Sequence, residues 1–516
     1  MLPPSNLPSG AALKNCAVRA LCDCVPLQRR WREIGRNRRY KSITPEILFQ
    51  RFYACLGEAT FLAFFHLLRH ARPNSAHQLL GELCEKRMCR IVTTNFDLLV
   101  DRQARSRSII HLHGALDRAD TMVTRINQVG RGLTGKLRNN IRRQLSGSTL
   151  CVLGYSGADN DVWTAVQSSR VDRILWLVRK TNDPTWQNLP RFGRKHRIQV
   201  AVGDMRGLFR KLGKAAFRND VEVKSEEAAR RRLNKMWLRP ARLIDRYACL
   251  SEVFFEIEDY KAAAEISEEA FPTAHGTELS GWFHIQAAEA HKILGNFRRA
   301  AHFGRKAIRL NKRIGDPFDI AGSYNIYGLI QAEKTKPNLH AAKQALRKAI
   351  STIETIDLAT CTRHRREGVR NFHARALNNL GLALSHSRKI TLAVTTYRKS
   401  LWIKQKLGDL LGVAVTSGNI SIAYLRGGRL QLAKKWRARA LELMDKYQLG
   451  FQKAYLLRQT GVLICEHGDL ITGRSYLQRA LEVYIDLGQT AFGQALTEKA
   501  LKRYALPKSK RNRRSA

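Results

Sequence analysis

The first two hundred residues alternate short apolar, β-branched runs with longer stretches whose apolar positions recur at helical spacing. Short apolar runs separated by segments long enough for a crossover helix are typical of parallel strands. We therefore expect an α/β domain over residues 1–205, with a mostly parallel, Rossmann-like sheet. The predicted strands are residues 90–94, 109–112, 150–153, 173–178 and 197–202.

The second half of the chain contains an internal repeat. Asn379, Asn419 and Gln459 each open a similar run of five residues, which gives a period of 40 residues. A small residue recurs at two fixed offsets in each copy; these positions are Ala393, Ala433 and Gly473, then Ser400, Ala440 and Ala480. Small residues at such points let two antiparallel helices approach closely. With weaker copies near Ser251, Ala288 and Gly328, the pattern predicts an all-α solenoid of six units over residues 241–503.

The segments outside these two parts, and the cysteines, indicate a chain without a membrane span or a disulfide framework. Residues 206–240 are predicted as a basic helical linker, and residues 504–516, which contain no acidic residue, as a disordered tail. No apolar run reaches the roughly 18 residues of a membrane span, and the N-terminus lacks the features of a secretory signal. The ten cysteines form no C-x-x-C pair. Free thiols in the cytoplasm are the expectation, with neither a zinc framework nor disulfides.

The chain is strongly basic, with a formal net charge of +47. One interpretation is affinity for nucleic acid or another polyanion. The basic residues are spread along the whole chain and do not form one stripe, which favours solvated helix faces instead. Non-specific polyanion binding stays open as an alternative.

Polar residues follow three of the predicted strands at the points where the strands end. Ligands of open parallel sheets bind at the carboxyl ends of strands, so these residues predict a nucleotide-type pocket. They are Thr94, Asn95, Asp97, His111, His113, Gly154, Ser156 and Asp159.

Simpler explanations exist for some of these residues. Asn95 and Asp97 could cap a helix from Leu98 onward, since Asn and Asp are preferred at that position. His111 and His113 share a face of their strand, but no further ligand lies nearby, so we expect no metal site. Residues 130–137 narrowly miss a phosphate-binding loop, because Leu137 replaces the hydroxyl residue. A loop before a helix over residues 137–145 is the better interpretation.

Taken together, residues 93–97 (Thr-Thr-Asn-Phe-Asp), 111–114 (His-Leu-His-Gly) and 154–159 (Gly-Tyr-Ser-Gly-Ala-Asp) resemble the three central motifs of the sirtuin-like superfamily. The resemblance is closest to its bacterial NAD-consuming branch, which is often fused to sensor domains and used in antiphage defence. Residues 122–125 also suit that branch. The repeat resembles tetratricopeptide repeats of the forty-residue kind.

The resemblance implies roles for individual residues. His113 would be the general base that activates the attacking hydroxyl or water, and Asn95 would orient the nicotinamide ribose or that water. The implied substrate is NAD, and no metal is implied. Cleavage of the nicotinamide–ribose bond passes through an oxocarbenium-like transition state, which is accelerated by positioning and electrostatics. The implied cofactor-binding residues are Thr94, Asp97, Gly154, Ser156 and Asp159.

Two departures from the family pattern bear on function. The protein deacylases of the superfamily carry a zinc module built from two cysteine pairs after the His-Gly motif. Here about forty residues separate Gly114 from Gly154, and Cys151 is their only cysteine; this favours a hydrolase. The family also opens with a strand and a Gly-Ala-Gly-x-Ser loop. Residues 5–10 resemble the stretch that follows this loop, so we expect the loop either upstream of Met1 or missing.

Two hypotheses follow. In the first, the protein is an NAD hydrolase effector, and an unknown protein or peptide trigger binds the repeat solenoid and releases, orders or oligomerises the N-terminal domain. In the second, the protein is a non-catalytic tetratricopeptide scaffold that binds protein or nucleic acid and carries a degenerate sirtuin-like domain. Neither involves a membrane.

Overall fold

The structure is a computed structural model, and it divides the chain into two compact units. The first unit comprises Met1–Trp31 and Thr44–Ala241, and the second comprises Arg32–Ile43 and Arg242–Ala516. The residues described are 10–66, 69, 73, 75–104, 109–118, 121–155, 160–178, 197–203, 237, 241–447, 449–487 and 491–505. Among these residues no helix is long and apolar enough to cross a membrane.

Helices precede the strands of the first unit in the chain and also lie between them. In the part of the chain that is described, the helices before residue 241 are α1 (Gly10–Leu21), α2 (Gln28–Arg36), α3 (Arg38–Ser42), α4 (Pro45–His66), α5 (Ser75–Glu85), α6 (Ile126–Arg131), α7 (Gly135–Leu145) and α8 (Asn160–Gln167). Aromatic contacts bury the C-terminal part of α4: the Phe64 ring lies 4.7 Å from that of Trp237, whose Nε1 donates to the Thr60 carbonyl at 2.8 Å.

Parallel strands form at all five predicted positions. They are β1 (Ile91–Thr93), β2 (Ile109–His111), β3 (Thr149–Leu153), β4 (Arg173–Val178) and β5 (Ile198–Val202). β1 pairs with β2 in parallel, and β3, β4 and β5 form a second parallel sheet in that order. The two sheets share one hydrophobic core, in which Ile141, Ile174 and Trp176 are buried.

The sequence predicted one sheet, and the described strands form two. β1 and β3 are the edge strands that face the same cavity, to which β1 contributes Val92 and Thr93 and β3 contributes residues 150–153. No strand of the described residues lies between these two edges. Within the described residues the parallel strands are therefore divided between two small sheets.

The second unit is an array of helices, and the helical repeat predicted for this half of the chain is confirmed. Its helices after residue 241, within the described residues, are α9 (Leu243–Glu256), α10 (Tyr260–Glu269), α11 (Phe271–Ala274), α12 (Ser280–Ile293), α13 (Phe297–Ile314), α14 (Pro317–Glu333), α15 (Leu339–Glu354), α16 (Arg363–His386), α17 (Ile390–Leu407), α18 (Leu410–Arg426), α19 (Leu430–Lys446), α20 (Gly450–Glu466), α21 (Leu470–Leu487) and α22 (Ala491–Arg503). Apart from α11 and α22 they form antiparallel pairs.

The small residues of the repeat lie where paired helices touch. A Cβ on Gly381 would lie 2.7 Å from the ring of Tyr397, and one on Gly473 would lie 2.8 Å from the Gly461 carbonyl oxygen. Ser421 Oγ donates to the Ala433 carbonyl at 2.8 Å across the pair α18–α19. These contacts are the physical origin of the 40-residue pattern.

Helix α3 belongs to the second unit although it precedes the first unit's strands in the chain. Asn37 caps α3 by accepting from the main-chain N–H groups of Arg39 and Tyr40 at 2.9 and 3.2 Å. Arg39 Nε then donates to the Glu256 carbonyl at 2.6 Å, at the end of α9. The linker predicted at residues 206–240 and the tail predicted at 504–516 fall almost wholly outside the described residues.

Candidate functional site

The chain leaves β1 through Thr94, Asn95 and Asp97. Asn95 N–H donates to Thr93 Oγ1 at 3.0 Å, and the Asn95 side chain is exposed. Asp97 is buried, and its Oδ1 accepts from Leu99 N–H at 3.1 Å. A single turn, rather than the helix considered from Leu98 onward, follows in the described residues. Asp97 therefore caps a turn, and not the helix that was considered from the sequence.

The chain leaves β2 through His111, His113 and Gly114. His113 is 7% exposed, and its carbonyl accepts from Val123 N–H at 2.7 Å. Gly114 has φ +77°, and a Cβ on it would lie 2.3 Å from the Thr121 carbonyl oxygen. Only glycine fits this close approach, so Gly114 fixes the path of the backbone directly after His113.

A cavity of about 220 Å³ lies between the edges of β1 and β3. Thr94 and Asn95 line it after β1, and Gly154 and Tyr155 line it after β3. Its apolar wall comprises Leu112, Ile141, Leu145, Val162, Ile174 and Trp176. The cavity thus runs along the edges of both strands and reaches their carboxyl ends, where α/β sheets bind ligands.

The structure brings together only part of the predicted site. Thr94, Asn95 and Gly154 line the cavity, whereas Asp97 and His113 are buried outside its lining. β2 ends at His111, and the turn that follows leaves Leu112 in the lining of the cavity and His113 outside it. Ser156 and Asp159 lie outside the described residues.

The structure places two further residues, Asp101 and His77, near the predicted site residues, and neither belongs to a sequence motif. Asp101 accepts from the ring of His111, and the pKa of His77, on α5, responds to the charge of Asp97. Burial lowers the pKa of His77, and the nearby Asp97 carboxylate only partly offsets this effect. These contacts join residues whose spacing in the sequence follows no rule, so only the fold reveals them.

The described residues bear on two alternatives, a metal site and a phosphate-binding loop at residues 130–137. Within the described residues, no group of three or more His, Cys, Asp or Glu side chains is arranged to hold a metal ion. Residues 130–137 run from the end of α6 into α7, which begins two residues earlier than the predicted helix, at Gly135. Thr134 caps α7 by accepting from Leu137 N–H at 3.4 Å.

The repeat array encloses a second cavity, of about 320 Å³. Amide side chains on successive hairpins line it and bond to one another: Asn378 donates to Asn379 at 3.3 Å, and Asn419 donates to Asn378 at 3.1 Å. Lys292 also lines it, 3.2 Å from Glu333. The interior of the array is therefore polar in part, unlike a sealed helical core.

Comparison with known proteins adds little to this geometry. No protein-family model matches the chain, and no curated protein matches it. Among solved structures, the crystal structure of a Rap protein complexed with competence and sporulation factor is similar, with 12% sequence identity and a TM-score of 0.36. That similarity covers 51% of this chain and 74% of the other. Function is therefore inferred from the chain's own residues.

Proposed function

We propose that the first unit hydrolyses NAD at the bond between nicotinamide and ribose, and that the repeat array controls this reaction by binding a protein or peptide trigger. The observation that carries the proposal is the cavity between β1 and β3. It reaches the strand ends at which parallel sheets bind nucleotides, and Thr94, Asn95 and Gly154 line that part of it. The resemblance of the strand-end motifs to those of NAD-consuming sirtuin-like enzymes supports the same substrate.

In this proposal His113 accepts a proton from the attacking water, and Asn95 orients the ribose or the water. The buried carboxylate of Asp97 lies two residues beyond Asn95 and holds the turn that follows. The leaving group is nicotinamide, and the product is ADP-ribose. NAD is the substrate, and no metal takes part.

One observation favours a second candidate, the non-catalytic scaffold. His113 is buried and lies outside the lining of the cavity, whereas a general base has to reach the proton that it removes. A scaffold needs only the partly polar interior of the array and the basic surface. The experiments therefore have to separate catalysis from binding.

The decisive experiment incubates the full chain with NAD and uses chromatography to measure the loss of NAD and the release of nicotinamide. We expect His113→Ala to reduce the rate by about 100-fold or more, since removal of a general base typically costs that much. His275→Ala, at an exposed histidine of the array, is the matched control and should leave the rate unchanged. A His113→Ala protein that consumes NAD as fast as the parent would contradict the assignment.

Control by the repeat array predicts little NAD loss from the purified full chain and a large increase when the trigger is present. Rapid NAD loss with the purified chain alone would contradict regulation by the repeat array, but it would leave the proposed NAD hydrolysis standing. The scaffold predicts no NAD loss under any condition. If the basic charge alone binds nucleic acid, affinity for duplex DNA should fall steeply with salt and be independent of base sequence.

A further inference from the structure

His111, the last residue of β2, makes hydrogen bonds through both ring nitrogens. Its Nδ1 lies 2.9 Å from the Asn95 carbonyl oxygen, and its Nε2 lies 3.1 Å from each carboxylate oxygen of Asp101. Its side chain is 8% exposed. A carbonyl and an ionised carboxylate can only accept, so both bonds form only when each ring nitrogen carries a proton. The geometry therefore suits the imidazolium form of His111.

The surroundings of the ring favour that charged form. Burial lowers the pKa of His111, but the bond to Asp101, the bond to the Asn95 carbonyl and the charges of Asp101 and Asp97 together outweigh it, so the pKa lies above its ordinary value. The charge of Asp97 also raises the pKa of His77, but burial has the larger effect and keeps that pKa below the ordinary value. Of these two histidines, only His111 has a pKa that its contacts raise above the ordinary value.

His111 fixes the main chain of Asn95. Asn95 N–H donates to Thr93 Oγ1, and its carbonyl accepts from His111, so main-chain groups on both sides of its Cα are held. The Asn95 side chain lines the cavity between β1 and β3. Holding the backbone in this way sets the direction in which the Asn95 amide points.

Loss of one proton from His111 must break one of its two contacts. If the proton stays on Nδ1, the lone pair of Nε2 faces the Asp101 carboxylate. If the proton stays on Nε2, the lone pair of Nδ1 faces the Asn95 carbonyl. Either form places two acceptors against each other, which is unfavourable in a partly buried setting. The charged carboxylate of Asp101 is the stronger acceptor, so the remaining proton stays on Nε2, and the contact with the Asn95 carbonyl is the one that is lost.

We propose that protonated His111 is a positioning residue that holds Asn95 at the cavity, and that its deprotonation releases Asn95 as the pH rises. This inference rests on the NAD hydrolysis proposed above. His111 contacts the main chain of Asn95 and does not line the cavity within the described residues, so it acts through Asn95 and is not a catalytic residue.

The test is the pH dependence of NAD hydrolysis by the full chain. The parent should lose kcat at alkaline pH as His111 releases its proton, with a smaller change in KM. Asp101→Asn removes the carboxylate beside Nε2 and should move this loss of activity to lower pH by about one unit or more. His111→Asn, which does not titrate, should have a kcat about tenfold to a hundredfold lower, as expected for a misplaced orienting group, and no alkaline loss.

His77→Asn is the matched control, because it removes a half-buried imidazole that senses the charge of Asp97. It should leave the alkaline loss where it is in the parent. An active parent whose alkaline profile is the same in Asp101→Asn and His111→Asn would overturn the positioning role.

A second readout does not depend on activity. In protein labelled with ¹⁵N at asparagine and ¹³C at histidine, the side-chain amide resonance of Asn95 should shift with the titration of His111. The shift should move to lower pH in Asp101→Asn. A parent that shows no NAD loss at any pH even when the trigger is present would overturn the hydrolysis, and an Asn95 resonance that does not follow the titration of His111 would overturn this inference.

Discussion

Glu258 Oε1 accepts a hydrogen bond from the main-chain N–H of Phe451 at 3.1 Å, which joins positions 193 residues apart in the chain. Arg39 Nη1 lies 3.6 Å from the same carboxylate oxygen. The side chain of Glu258 is 2% exposed. One carboxyl group thus links the turn after α9, the start of α20 and the segment around α3, which precedes the first unit's strands in the sequence.

This carboxyl predicts a pH-dependent stability of the second unit. Burial raises the pKa of Glu258 from 4.5 to about 7, against the opposing effects of Arg39 and the Phe451 N–H. Between these values the folded chain keeps a proton that the unfolded chain has released, so the free energy of unfolding falls as pH rises from about 4.5 to about 7. The expected loss is about 3 kcal/mol, and it is complete above about pH 7.

Glu258→Gln should remove this dependence, because glutamine can still accept from Phe451 N–H but does not ionise. Burial also raises the pKa of Asp319, to about 6, so the quantity to measure is the difference between parent and variant in denaturant unfolding at pH 5, 6, 7 and 8. Glu265→Gln, at an exposed position, is the control. An unchanged pH slope in Glu258→Gln would show that Glu258 is not the group responsible.

Phe492 of α22 closes the array against an earlier hairpin, with its ring 5.4 Å from that of Phe297. It also lines the cavity of the array. We expect Phe492→Ala to cost about 2 kcal/mol through lost packing and to enlarge the radius of gyration measured by X-ray scattering. Trp402→Ala, at a position 61% exposed, should change stability by less than about 0.5 kcal/mol. A Phe492→Ala chain as compact and stable as the parent would contradict the closing role.

Local pattern was enough to predict the strands and the repeat, because both depend on neighbouring residues. Short apolar, β-branched runs located β1 to β5, and the small residues at 40-residue spacing located the helix contacts, such as that of Gly381 with Tyr397. The gap between β1 and β3 was not predictable, since no local pattern determines which edges pair.

The candidate site was predictable only in part for a related reason. Residue type and position placed Asn95 and Gly154 at strand ends, and both line the cavity. The same argument placed His113 with them, but the turn after β2 leaves it buried outside the lining of the cavity. Asp101 and Glu258 act through contacts that depend on folding, and no sequence pattern distinguishes them from other carboxylates.

Gly473 tests the close approach of paired helices. Replacing a helical glycine by alanine normally stabilises a helix by about 1 kcal/mol. At Gly473, however, the added Cβ would lie 2.3 Å from Cys465 Sγ and 2.8 Å from the Gly461 carbonyl oxygen. We therefore expect Gly473→Ala to destabilise the array by about 1–3 kcal/mol, as overpacked cores do.

Gly368, on α16, is the matched control for Gly473. A Cβ there would meet only the Phe318 ring, at 3.9 Å, an ordinary contact. Gly368→Ala should be neutral or stabilising by up to about 1 kcal/mol. Thermal and denaturant unfolding of both variants measure the contrast, and equal effects would show that helix approach does not explain the small residues of the repeat.

Gly114 allows a similar test beside the candidate site. Gly114 has φ +77° and Gly147 has φ +67°. Alanine at either position is therefore destabilised by about 1 kcal/mol, because an L-residue is disfavoured at positive φ. A Cβ on Gly147 would meet nothing within 4 Å, whereas one on Gly114 would lie 2.3 Å from the Thr121 carbonyl oxygen. Gly114→Ala should therefore cost about 1–3 kcal/mol more than Gly147→Ala. Because the Thr121 segment has to move, the backbone at His113 should move with it, and NAD hydrolysis should fall in Gly114→Ala alone. If both variants lost the same stability and the same activity, the close approach to Thr121 would have no part in holding His113.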